Sequence, residues 1–224
     1  MKKSLTGRNA LEWSVGAETW VMTTDNSGAI GEKEEDEIIV PYSVVSYYSF
    51  RVAVLDCLSA GALPRTVILH NFCGEQAWGK LVEGIHQGIG ELGLQNVTIT
   101  GSTESNMMLK QSAVAITVLG ERTRLFTIEK PASLKWTLIG EPLVGEDVIS
   151  KADCAAPLSK ALDIFKNKNT AALWPVGSKG VQKEWEQLAS QYRLAAADMP
   201  SFEADLTVSA GPSTCWIVGE QLRM

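Results

Sequence analysis

The chain has 224 residues, 45% hydrophobic and 21% charged, with 20 basic against 26 acidic side chains and a formal charge of −6. A chain of this size buries one good core and has room for a second, smaller one. The acidic balance excludes a broad electrostatic footprint for nucleic acid, no apolar run spans a bilayer, and the polar residues after Lys2 and Lys3 lack the apolar core of a secretory signal. Cys57, Cys73, Cys154 and Cys215 are far apart with no C-x-x-C pair, which predicts a reducing cytoplasmic setting and no structural zinc.

Residues 12–24 alternate loosely around Trp13, Val15, Trp20 and Met22, predicting extended structure that ends at Asp25. Asn26-Ser27-Gly28-Ala29-Ile30-Gly31 reads as a turn. The charged run 32–37 reads mostly as a solvated linker, and a short strand at 38–40 is stopped by Pro41. Tyr47, Phe50, Val54 and Leu58 share a stripe, predicting a helix over 46–60 with Gly61 as its cap. Asp56 falls in the last two turns, where a carboxylate opposes the helix dipole and needs a cation, a donor or solvent.

A strand follows at 66–72, then a helix at 76–92 stopped by Gly93, a strand at 97–99 running into a polar turn, and a strand at 113–119. This order predicts an α+β fold with helices on one face of a mixed sheet. The pattern weakens after Gly120, which suggests a boundary at 122–131 between a domain over 1–122 and a smaller α/β lobe over 123–224. The lobe carries a strand at 136–139, a helix at 158–165, an apolar segment at 171–174, a glycine-punctuated loop at 175–180, a helix at 182–190 and a final pair of strands around 210–215.

Three polar clusters are candidates for chemistry: Asp25 with Asn26 and Lys33, then Asp56, then Gly101-Ser102-Thr103-Glu104-Ser105-Asn106 at a strand's carboxyl end. Oxygen-rich groups of this kind suit Mg2+, which takes one or two carboxylates and completes its shell with water and phosphate. Each cluster has a plainer alternative. Residues 25–28 form a reasonable self-bonded turn, Asp56 a partly exposed helix residue, and Ser102-Thr103-Glu104 a helix cap. Gly177-Ser178-Lys179-Gly180 resembles a phosphate loop without the G-x-x-x-x-G-K-[ST] spacing. His70 and His86 lack a third ligand at metal spacing and read as structural.

Taken together, three segments resemble motifs of the PurM-like superfamily of ATP-using enzymes. Residues 24–33 are similar to its T-D-G-V-G-T-K segment, residues 54–64 to its N-D-x-x-x-x-G-A-x-P segment, and Thr100-Gly101-Ser102-Thr103-Glu104 to its G-G-D-T turn. The resemblance implies a PurM N-terminal-like mixed sheet, a homodimer through the amino-terminal domain, and ATP with Mg2+ in a groove near the paired sheets. Asp25 and Asp56 would then be metal or phosphate-site residues, and Lys33 would neutralise phosphate charge. Ser102 stands where the family has an acid, so Glu104 is the candidate third carboxylate.

Within the superfamily, residues 25–34, 100–106 and 174–180 most resemble α-ribazole kinases of cobalamin lower-ligand salvage. That resemblance implies transfer of the γ-phosphoryl group to α-ribazole. Asn26, Gly101, Ser102, Thr103, Asn106, Gly177, Ser178 and Lys179 would contact the nucleotide, and His70 the acceptor hydroxyl. The same resemblance leaves two other readings open, a nucleotide-binding regulatory protein without catalysis and an ATP-dependent synthetase.

Overall fold

The computed structural model describes residues 1–3, 8–128 and 133–222, so part of the predicted boundary at 122–131 lies outside the described residues. The first strands are β1 (Lys2–Lys3), β2 (Ala10–Val15) and β3 (Glu18–Gly28). Gly16, at φ 60°, turns β2 back onto β3, so the extended stretch 12–24 is two antiparallel strands. Asp25 to Gly28 do not form the predicted turn. They continue β3 and pair with a later strand from Asp25↔Ile116 to Gly28↔Ala113, an override of local turn chemistry by cross-strand pairing.

Two-residue strands β4 (Ile30–Gly31) and β5 (Ile38–Ile39) pair in parallel and pinch the acidic run between them. Glu34, Glu35 and Glu37 are exposed, as a solvated loop requires, but Asp36 is buried. Its carboxylate accepts from the Ser112 amide at 2.6 Å, the Ser112 hydroxyl at 2.7 Å and the Lys33 amide at 2.9 Å. These bonds hold its carboxyl below the usual range.

Helix α1 (Tyr42–Ser59) starts four residues before the predicted 46, directly after Pro41, whose fixed φ suits a helix entry. Apolar and small residues surround this helix, so no single stripe marks its start. It lies across β3, β6 (Ala62–Asn71) and β8 (Ala113–Arg122). Helix α2 (Trp78–Leu92) ends at Gly93 in the left-handed conformation and leads to β7 (Thr98–Thr103). The six-stranded sheet has the order β1-β2-β3-β8-β6-β7, antiparallel throughout except for β6 beside β7. Val114, Ile116 and Val118 of β8 and Val67 and Leu69 of β6 face the helices, while the intervening residues face away.

Helices α1 and α2 meet backbone to backbone at Gly84, where a Cβ would sit 2.0 Å from the Ser43 carbonyl oxygen. Alanine is the better helix former by about 1 kcal/mol, but a contact this short cannot be accommodated without separating the helices. Gly84→Ala is therefore expected to lower the melting temperature by several degrees, measured by circular dichroism.

The remaining elements are β9 (Leu134–Ile139), α3 (Asp147–Ser150), α4 (Ala161–Lys166), β10 (Thr170–Pro175), α5 (Gly180–Tyr192) and β11 (Trp216–Gln221). Strands β10, β11 and β9 form a second, antiparallel sheet in that order. The predicted pair of strands around 210–215 is instead an irregular approach to the single strand β11. Leu173, Trp216 and Val218 join the core built on α1, while Trp174, Ile217 and Cys215 pack with Trp185 and Leu188 of α5. Both faces of β10 are thus covered, which explains its uninterrupted apolar run. No helix among the described residues is long and apolar enough to cross a membrane.

Candidate active site

A cavity of about 600 Å³ opens between the end of β3, the first half of α1, the loop before α5 and the 211–213 segment. Ile30, Val40, Val44, Tyr48, Val148 and Ile149 make one apolar wall. The opposite end is polar. Asp25, Asn26 and Ser27 project from β3, and Gly177, Ser178 and Lys179 approach from the other side. Here the structure brings Asp25 and Asn26 of the first cluster beside the glycine-punctuated loop, residues separated by some 150 positions along the chain.

Asp25 points to the face of β3 that carries Val21 and Thr23, toward α1, where Thr23 Oγ1 donates to the Ala53 carbonyl at 2.7 Å. Burial raises the Asp25 carboxyl to about 7, the Asn26 amide and Ser49 hydroxyl pull it down, and the neighbouring Asp56 charge raises it further. Asp56 is completely buried behind the cavity on α1. The partner that its place near the helix end required is Arg8, whose Nε donates to Asp56 Oδ1 at 2.8 Å. Asp56 Oδ2 is buried with no hydrogen-bond partner among the described residues.

Arg8 also bonds Glu184 of α5 and lies over the Trp174 ring, 5.5 Å from its centroid. The Glu184 carboxylate accepts from Trp174 Nε1 at 2.8 Å and from the Gly177 amide at 3.3 Å, which fixes the loop carrying Ser178 and Lys179. Arg8 and Glu184 line the cavity and were missed from sequence. Two signals pointed toward them: Asp56 needed a cation, and the indole N–H of a buried Trp174 needed an acceptor.

The third cluster lies elsewhere. In the sheet, β8 and β6 separate β3 from β7, and the register runs Asp25, Ile116, Leu69, Gly101. Three strand spacings put the β7 backbone roughly 14 Å from Asp25. Gly101 is needed for strand packing, since a Cβ there would meet the Leu69 carbonyl oxygen at 1.9 Å. Thr103 Oγ1 accepts from Asn71 Nδ2 at 3.1 Å. Glu104 Oε1 accepts from the Asn106 and Met107 amides at 2.7 and 3.0 Å, and these bonds lower its pKa. Glu104 thus closes a local turn, and since no helix lies between β7 and β8 the helix-cap alternative does not hold. Ser102 and Asn106 are exposed.

Lys33 Nζ donates to the carbonyls of Phe72, Leu109 and Gln111 at 3.3, 2.7 and 3.2 Å, so its charge holds loops together away from the cavity. His70 pairs in register with Ser102 and sits on the sheet face turned away from α1, opposite Asp25.

Among the described residues, no group of three or more His, Cys, Asp or Glu side chains is placed to hold a metal ion by itself. Asp25 and Asp56 together, with the orphaned Oδ2, fit a hard cation that completes its shell with water and phosphate. Glu104 does not join that pair.

No family model and no curated protein matches the chain. Solved structures do. Thiamine monophosphate kinase from Aquifex aeolicus aligns with a TM-score of 0.63 at 10% identity over 96% of this chain and 83% of its own. Hydrogenase maturation protein HypE aligns with a TM-score of 0.62 at 15% identity over 90% and 71%. PurL from T. maritima, complexed with AMPPCP, gives a TM-score of 0.55 at 14% identity over 90% and 36%. The Aquifex-type kinase has also been solved with AMPPCP and TMP, and HypE with ATP. The chain therefore shares the mixed α+β fold of these solved structures.

Proposed function

We propose that the protein is an ATP- and Mg2+-dependent phosphotransferase that phosphorylates the 5′-hydroxyl of α-ribazole. The observation that carries this reading is the cavity itself. It unites the Asp25 carboxylate, with Asp56 buried behind it, the Lys179 ammonium and a glycine-punctuated helix entry with an apolar wall large enough for a fused aromatic ring, in a fold shared with nucleotide-bound proteins.

In this reading Asp25 and Asp56 hold Mg2+, which when bound offsets charge on the transferring phosphoryl group. Lys179 and the Gly177–Ser178 backbone orient phosphate oxygens at the start of α5, where the helix dipole favours negative charge. Asn26 and Ser27 supply further polar contacts. The apolar wall excludes water and seats the aromatic base. The protein's contribution is chiefly positioning and electrostatic stabilisation, without a covalent nucleophile.

Two further expectations belong to the same proposal. The division at 122/123 would separate an ATP-binding domain from a reduced lobe that brings Lys179 to it. A homodimer would form through the face of the large sheet turned away from α1, where Leu11, Trp13, Trp20, Met22, Ile68 and Leu119 are only partly covered. The cytoplasm is the compartment that suits a nucleotide-dependent enzyme of this kind.

A second reading has its own support. Arg8 already neutralises Asp56, and Ser102 replaces an expected acid, which favours a nucleotide-binding regulatory protein without transfer activity. Incubation with Mg2+, ATP and α-ribazole separates the two. The phosphotransferase yields ADP and α-ribazole 5′-phosphate in equal amounts, whereas the regulatory protein binds ATP and forms neither. Turnover with thiamine monophosphate or another nucleoside instead would reject the α-ribazole assignment and keep the phosphotransferase class.

A further inference from the structure

The most unusual feature of the cavity is the arginine behind its carboxylates. Arg8 reaches Asp56 across 48 positions and Glu184 across 176, tying α1 to α5 through one guanidinium. Its side chain is 8% exposed and those of its partners 0% and 6%, so the bridge is almost dry. Two carboxylates share one positive charge, Asp25 lies within electrostatic range, and Asp56 Oδ2 is left without a partner among the described residues. The bridge is therefore short of positive charge, and that deficit falls on Asp56, buried behind the cavity and beside Asp25, which lines it.

We propose that Arg8 is a displaceable counter-ion, competing with a divalent cation for Asp56. The proposal rests on the reading that the Asp25 and Asp56 pair receives the cation. A guanidinium and a dication on the same buried carboxylate repel each other in a medium that screens poorly. Cation entry thus turns Arg8 away from Asp56, leaving it with Glu184 and the face of Trp174. Glu184 also holds the Gly177 amide, so movement of Arg8 is transmitted to the loop that presents Ser178 and Lys179. Arg8 in this view is a positioning residue: it keeps the carboxylates neutralised and the two halves aligned until the cation arrives with its nucleotide.

The direct test observes Arg8 in the full wild-type chain. In a 15N-labelled sample the Arg8 Nε–H resonance, assigned by its absence from Arg8→Lys, is expected to be shifted by its carboxylate bond. Titration with Mg2+ alone should move it toward the position of a free arginine side chain. In parallel, Mn2+ binding followed by electron paramagnetic resonance should be at least tenfold tighter in Arg8→Gln than in the wild type. Mn2+ should also restore much of the melting temperature that this variant loses. An Arg8 resonance that does not move at tens of millimolar Mg2+ overturns the proposal, as does equal or weaker Mn2+ binding in Arg8→Gln. The resonance is followed in the wild type and needs only the charge-retaining Arg8→Lys for its assignment, so poor folding of Arg8→Gln leaves that arm decisive. AMPPCP binding in the same samples reports on the nucleotide reading separately. Nucleotide binding with an unmoved Arg8 defeats this inference alone, and absence of both defeats the nucleotide reading as well.

Discussion

Asp56→Asn will cut phosphoryl transfer by about 100-fold or more while leaving the protein at least as stable as the wild type. The loss follows if Asp56 holds the cation, since an amide oxygen without its charge is a poor ligand for Mg2+, and a factor of 100 corresponds to about 2.7 kcal/mol of transition-state stabilisation. The retained stability follows from the geometry. Asparagine keeps an oxygen for Arg8 Nε and removes one of two buried carboxylates that share a single guanidinium. It also removes a charge that pushes the Asp25 carboxyl upward. Steady-state ADP release and a thermal melt measure the two halves of this expectation, and full activity in the variant would remove Asp56 from the metal site.

Asp25→Asn will show the same trade with a pH signature. The Asp25 carboxyl titrates at about 7 in the folded chain against an ordinary 3.8, burial being the main cause. A folded value above the unfolded one means that the folded state binds the proton more tightly. The ionised group therefore costs nothing below 3.8, costs progressively more as pH rises from 3.8 to about 7, and costs a constant amount above. Asparagine escapes that cost. The variant's advantage in melting temperature should accordingly be larger at pH 8 than at pH 5, by about 5 °C for a chain of this size. Its turnover should fall by about 100-fold or more at every pH, because the group facing the cavity is lost. A melting-temperature difference that is flat from pH 5 to 8 would show that Asp25 is not the buried, high-titrating carboxyl described above.

Both substitutions express one principle: a site that gathers like charges for chemistry is less stable than its neutral isosteres. Much of the scaffold behind that site is legible in the residues themselves. The alternation of Val114, Ile116 and Val118 marks β8, and Gly93 stops α2 where its left-handed conformation is needed. Asp25 and the 177–179 loop stand out as polar groups at element ends, and the cavity joins them.

What stayed hidden did so for physical reasons. Asn26, Ser27 and Gly28 carry strong local turn chemistry, yet nine register pairs with β8 outweigh it, information that resides in a strand almost 90 positions away. Asp36 sits in an acidic run whose other members are solvated, and only the three donors around it reveal its burial. Glu104 supplies an acid near the expected place in sequence, but the sheet order inserts two strands between it and Asp25. Arg8 belongs to no periodic pattern, and its role arises only when α1 and α5 are brought together. Long-range pairing of single polar residues leaves little trace in local sequence, whereas burial periodicity leaves a clear one.

A nucleotide occupying the cavity between Asp25 and Lys179 is the requirement common to these expectations, and calorimetric titration with AMPPCP and Mg2+ tests it most directly. Saturable binding at one site per chain, weakened at least tenfold in Lys179→Ala, is the predicted result. Absence of binding at millimolar nucleotide, or binding that Lys179→Ala leaves unchanged, would contradict it.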